Sequence, residues 1–184
     1  MSERRIEMVR EIVNYEARWD SNGKIRVYYL SPIDGGGVYE VAGINTKYHP
    51  EAAKRLRDLV EAGRQDDALA EAIEYIARYT DSSADRSEID AIRFLWRDIA
   101  WNRGPTGAVR TFRLSMGLSY GDQMDAEARQ TLGQAETNLP EFIEAIVVGR
   151  EKYERHRGRG PGHPMWEGLT NRWRKAADFA QTLL

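Results

Sequence analysis

No cysteine occurs among the 184 residues. Disulfides, thiolate nucleophiles and cysteine-ligated metals are therefore excluded, while the redox compartment stays open. Histidine is almost as scarce: His49, His156 and His163 are the whole supply. Their separations fit no zinc-ligand pattern, so no metal is expected. No apolar run approaches the ~20 residues that span a bilayer, and no membrane span is expected. Charge of one sign is lacking too. The 27 Lys and Arg face 29 Asp and Glu, for a net charge of −2, which supplies no overall field to hold nucleic acid. The run Asp34-Gly35-Gly36-Gly37 leads into a strand pattern rather than a helix. It is therefore not a phosphate-binding loop, and no cofactor is expected.

What is present is a helical chain with one β-like interruption. The length suits a single domain over 1–184. Ile6, Val9, Ile12 and Val13 share one helical face, which predicts a first helix from about Ser2 to Arg18. Lys24–Leu30 and Val38–Ile44 are rich in β-branched and aromatic residues and flank a Pro- and Gly-rich turn over Ser31–Gly37. Together they read as one β-hairpin in the region of about 24–46. From about 50 to 184 the pattern is helical. Pro50 opens a helix that ends before Gly63, and Asp66–Tyr79 follows. Ser82, Ser83 and Asp85 read as a polar break, and Ser87-x-x-Asp90 resembles a capping start. Ile89, Ile92, Leu95, Trp96 and Ile99 form the most apolar stripe, the expected central buried helix, which stops at Asn102-Arg103-Gly104-Pro105. Further helices are expected from Pro105 to Gly117, around Asp125–Glu136, over Pro140–His156 and over Met165–Leu183. The expected fold class is mainly α with a minor β part (α+β).

Continuing the count along the first helix, Glu16 falls in the middle of the apolar stripe and at its end. A carboxyl group in an apolar rim has its charged form disfavoured, which raises its pKa and suits a general acid. The plainer alternative is a residue that caps the helix rim or pairs with an arginine. Glycoside cleavage needs a proton for the leaving oxygen and a second group on the other side of the sugar. A helix-end carboxylate facing a hairpin provides two such walls, a layout similar to that of lysozyme-like glycoside hydrolases.

Three blocks carry a closer resemblance. They are Tyr15-Glu16-Ala17-Arg18-Trp19 with Asp34-Gly35-Gly36-Gly37 and Gly43-Ile44-Asn45-Thr46; Asp98-Ile99-Ala100-Trp101-Asn102-Arg103-Gly104-Pro105 through Phe112 and Gly117-Leu118; and Trp166-Glu167-Gly168-Leu169-Thr170-Asn171-Arg172-Trp173. In this order the chain resembles the secretion-activator and phage-type N-acetylmuramidases of the lysozyme-like superfamily. The resemblance implies a lysozyme-like domain that cleaves the peptidoglycan glycan strand, with Glu16 as general acid. Ala17 and Arg18 stand where the family has two glycines, and Lys24–Leu30 lengthens the hairpin before Asp34. The second carboxylate is therefore Asp34 or Glu40, with Asp20 a third candidate. Asp34 as a turn residue bonding its own backbone, and Glu40 on a solvated strand face, are the plainer readings.

Aromatic faces with polar tips suit sugars. Tyr15, Trp19, Tyr28, Tyr39, Tyr48 and Trp101 are candidates, with core packing as the plainer use. Asn45, in the motif block, is a further substrate-binding candidate, as is Asn102, which can bond an acetamido group or cap its helix. Arg150, Lys152, Arg155, His156, Arg157 and Arg159 read as a solvated helix end that complements the dipole, the alternatives being contact with an anionic wall polymer or nucleic acid. The N-terminus, Met1-Ser2-Glu3-Arg4-Arg5, lacks a signal-peptide core. Synthesis in the cytoplasm and action in the periplasm or cell wall, after holin-dependent release or a secretion system, are the expectation. An injected toxin of this kind implies an immunity protein in its groove. The alternatives are a lytic transglycosylase and a non-catalytic module that binds glycan or protein.

Overall fold

A computed structural model describes residues 2–31 and 36–184. Asp34 lies outside the described residues. These residues contain seven helices and one three-stranded antiparallel sheet, in the order α1 (Glu3–Glu16), β1 (Val27–Tyr29), β2 (Tyr39–Val41), β3 (Ile44–Asn45), α2 (Pro50–Glu61), α3 (Gln65–Ala84), α4 (Asp90–Ser115), α5 (Ala126–Ala135), α6 (Leu139–His156) and α7 (Trp166–Gln181). The fold is mainly α with a minor β part, as the sequence pattern predicts. It forms two compact units, 1–79 and 80–184, and the division falls within α3.

In the first unit the Ser2 hydroxyl accepts the Arg5 N–H at the start of α1, and Met8, Val9, Ile12 and Val13 are buried. A side-chain cap satisfies one of the donors that a helix start leaves open. β1 runs antiparallel to β2, with Val27 opposite Val41, Tyr28 opposite Glu40 and Tyr29 opposite Tyr39. The expected returning strand over Val38–Ile44 is not continuous. It turns at Ala42 and Gly43, both at positive φ (52° and 75°), and β3 comes back with Asn45 opposite Glu40 and Ile44 opposite Val41. Two central residues at positive φ match the twist of the flanking strands, so the hairpin becomes a three-stranded meander. α2 packs on β2 and β3 through Ala52, Ala53 and Leu56.

The expected break at Ser82, Ser83 and Asp85 begins later, at Asp85, because α3 runs through to Ala84. Thr80 and Ser83 are fully buried. The Thr80 hydroxyl and the Asp81 carboxylate accept from Nη1 and Nη2 of the buried Arg97 at 3.0 and 2.8 Å. Thr80 and Asp81 thus serve a guanidinium from within the helix, while the Ser83 hydroxyl is buried without a hydrogen-bond partner.

The second unit is built on α4, α6 and α7, with α5 against α6. Ser87 does not form the expected capping box. The N-cap of α4 is Ile89, while the Ser87 hydroxyl accepts the Ile89 N–H and donates to Glu136. Along α4 everything from Phe94 to Ala100 is buried. The expected stop at 102–105 survives as a kink: Gly104 sits at φ 72°, ψ 164°, and Pro105 restarts the helix. Phe94 meets Phe179 edge-on at 4.6 Å and Trp96 lies 5.3 Å from Phe112. Such pairs add to the area they bury. At Gly149 a Cβ would overlap the Ser115 hydroxyl and stand 2.9 Å from the Ser115 Cα. A side chain there would force α6 away from α4.

Candidate functional site

Glu16 ends α1, half-buried, because the apolar stripe of Met8, Val9, Ile12 and Val13 holds the preceding turns inward. The next residue, Ala17, is extended and lets the chain leave at once toward the sheet. The Trp19–Ile25 bridge and the Gln65 side chain, which accepts the Ile25 N–H at 2.9 Å, hold this exit in place. Glu16 then packs on the β2–β3 turn. A Cβ added to Gly43 would lie 2.8 Å from the Glu16 Cβ, 3.0 Å from its Cγ and 3.1 Å from its Oε2. Only glycine permits both the positive φ and that approach.

Glu40 stands in the middle of β2, three positions before Gly43. Tyr39 and Val41 on either side of it are buried in the opposite face. Tyr28 and Asn45 are its cross-strand neighbours, so three of the candidate residues are adjacent on one sheet face. The Asn45 amide donates to the Gly36 carbonyl at 3.1 Å, and its Oδ1 accepts the Lys47 N–H at 2.7 Å. Thr46 accepts the Val38 N–H at 2.8 Å. These two side chains tie down the segment from Gly36 to Val38. The bonds from Asn45 to Gly36 and from Thr46 to Val38 reach back nine and eight residues and leave no local pattern in the sequence.

Asp20 has a different job. Its Oδ1 accepts the N–H groups of Asn22 and Lys24 at 2.8 and 2.9 Å. The Lys24 N–H, helped by Asn22, holds the carboxyl below its ordinary value. It anchors the turn before β1 in the way aspartates do in Asx turns. Tyr15 is half-buried on α1. Tyr39 is buried with the Arg57 guanidinium 5.0 Å from its ring centre, and Arg18 lies 4.9 Å from the Tyr28 ring. Trp19, Tyr28, Tyr29 and Tyr48 are exposed, so the sheet region carries a concentration of open aromatic surface.

In the second unit Trp101 and Asn102 are half-buried just before the kink. The Asn102 amide donates to the Asp98 carbonyl one turn back at 3.1 Å. Around them lies an ionic network. Asp98 is 0% exposed, with Arg172 Nη2 at 2.5 Å and Arg150 Nη1 at 2.6 Å. Burial alone would raise its pKa, but Arg172 and Arg150 outweigh it and keep the carboxyl below the ordinary aspartate value. Glu154, also buried, takes Arg103 and Arg159 at 2.5 Å each. Of the expected solvated basic helix end, Lys152, Arg155, His156 and Arg157 are exposed, and two residues depart from it. Arg150 is buried, and Arg159 is tied to an interior carboxylate. A cavity of about 10 Å³ between Arg150, Thr111 and Trp173 has room for about one water.

Among the described residues no three His, Cys, Asp or Glu gather as metal ligands, and no helix is long and apolar enough to cross a membrane. No family model matches the chain, no curated protein matches it, and no solved structure matches it.

Proposed function

We propose that the first unit carries a glycoside-hydrolase site for the peptidoglycan glycan strand, with Glu16 as the general acid. The observation that supports this reading is the seating of the Glu16 side chain against Gly43, in a turn whose leading strand carries Glu40. One acid is thus fixed at a helix end and the other on the adjoining sheet. Protonation of the leaving oxygen by Glu16 and support of the oxocarbenium-like centre by the second carboxylate is the chemistry such a pair performs. Glu40 is the second carboxylate in this reading, and Asp34 is its rival from the family resemblance. The separation of the working carboxyls decides whether a water or the carboxylate itself attacks, and so whether configuration is inverted or retained. The exposed Tyr28, the cross-strand neighbour of Glu40, offers a flat apolar face for a pyranose ring.

The test is digestion of purified cell-wall sacculi, with products read by mass spectrometry. The wild type should release fragments with reducing muramic acid ends. Glu16→Gln should lower the rate about 10²–10⁴-fold, the range for a general acid, with an unchanged melting temperature. Glu40→Gln and Asp34→Asn, run side by side, assign the second carboxylate. Anhydro-muramyl ends would identify a lytic transglycosylase. Absence of any released fragment would leave a binding module.

A further inference from the structure

In the second unit a pocket of about 310 Å³ is lined by Arg86, Met124, Arg129, Leu132, Gly133 and Glu136. That is at the small end of sites that take organic ligands. The Arg86 guanidinium lies 5.2 Å from the Trp96 ring centre. Its Nε is buried and has no hydrogen-bond partner. Every other buried or half-buried arginine of this unit has a carboxylate within 4 Å: Arg97 has Asp81, Arg113 has Asp125, Arg150 and Arg172 share Asp98, Arg103 and Arg159 share Glu154, Arg93 has Asp85 and Arg110 has Asp122. Arg86 alone has none among the described residues. Burial pushes its pKa down with no acidic neighbour to offset the effect. The acid in the pocket, Glu136, accepts the Ser87 hydroxyl at 2.6 Å instead.

A half-buried charge without a counter-ion is costly, and an anion that binds beside it removes the cost. The fork of a guanidinium matches a carboxylate. Arg129 at the rim donates Nη1 to the Met124 carbonyl and adds a second cation. Met124 and the buried Leu132 form an apolar wall. We propose that this pocket binds a small organic carboxylate, its carboxyl on Arg86 and its apolar body against Met124 and Leu132. Both a free branched-chain acid and the C-terminus of a peptide have this chemistry. The proposal is independent of the reading of Glu16.

The experiment is thermal shift and calorimetric titration of the full chain with 4-methylpentanoate, N-acetyl-leucine, N-acetyl-leucinamide and inorganic phosphate at constant ionic strength. The two carboxylates should raise the melting temperature, and the neutral amide should not. Tighter binding of N-acetyl-leucine identifies a peptide terminus, and tighter binding of 4-methylpentanoate a free acid. Arg86→Met should weaken binding roughly tenfold or more, the loss of one charge-assisted contact, while the unliganded variant stays at least as stable as wild type. Arg86→Lys keeps the charge without the fork and should give an intermediate loss. No response to either carboxylate, an equal response to phosphate or the amide, or undiminished binding by Arg86→Met and Arg86→Lys would overturn the proposal.

Discussion

The molecule holds carboxylates in two contrasting ways. Asp98 and Glu154 are sealed in the second unit, each between two arginines. Glu16 is half-buried at the end of a helix in the first unit, against a bare stretch of turn backbone. Asp98 and Glu154 are each bound by two arginines and closed to solvent, so their work is structural. Burial of an acid is therefore not in itself a sign of chemistry. Access and the stiffness of the surrounding backbone separate the two cases.

The largest effect should come from breaking the sealed acid. Asp98→Ala leaves Arg150 and Arg172 without their counter-charge and should cost about 3–5 kcal/mol in urea unfolding. Replacing all three with apolar residues should recover most of that loss. A cost below about 1 kcal/mol for the single change would remove the contrast between the regions. Acid titration reads the same group. The folded carboxyl titrates below its ordinary value of 3.8. Its stabilisation is therefore complete above that value and falls away as pH drops below it toward the folded pKa, a slope that Asp98→Asn should lack.

Next in size is Gly149→Ala, which drives a methyl group into Ser115 and should cost about 1–3 kcal/mol by overpacking α4 against α6. In the first unit, Gly43→Ala should cost about 1–2 kcal/mol for the left-handed backbone alone. It should also cut sacculus digestion by far more than its drop in melting temperature explains, because the new Cβ displaces Glu16. Equal losses of activity from Gly43→Ala and Gly149→Ala, at matched stability, would mean that the turn has no special relation to catalysis.

The smallest effect belongs to Tyr75→Phe, which removes the 2.9 Å contact with His49 Nδ1 and should cost about 1 kcal/mol. Burial holds the His49 pKa below its ordinary 6.5. The neutral ring is the one the fold prefers, so stability should fall as pH drops below 6.5 toward the folded pKa. His49→Gln should flatten that limb and leave the aspartate limb in place.

Much of the helical framework was legible because the 3.6-residue period survives in each segment. α5, α6 and α7 begin and end within two residues of the expected positions. The third strand was hidden because Ala42 is not a turn residue by habit. The continuity of α3 is hidden because the polar run from Thr80 to Ser83 looks like punctuation, and Arg97, which Thr80 and Asp81 bond, is distant in sequence. The Asp98 network joins three distant stretches and leaves no local trace, and Arg150 looked solvated beside Lys152 and Arg155. Two of the blocks that resemble the muramidases, Asp98–Pro105 and Trp166–Trp173, meet at the Asp98–Arg172 pair. That part of the likeness reflects a contact that holds the second unit together. The proposed chemistry rests on Glu16 and the sheet alone.

The turn at Ala42 and Gly43 also guards against misfolding. Tight turns of this kind usually begin with asparagine, but position 42 is 2% exposed, where an amide would lack partners. Alanine accepts the backbone strain instead. With only two residues in the loop, β2 and β3 can pair in one alignment. A slip of one position would exchange the faces of Glu40 and Val41, thrusting a carboxylate into the apolar side of the sheet and turning a valine to the outside. The short strained loop makes that error costly, and every correctly folded chain must then present Glu40 on the face it shares with Tyr28 and Asn45.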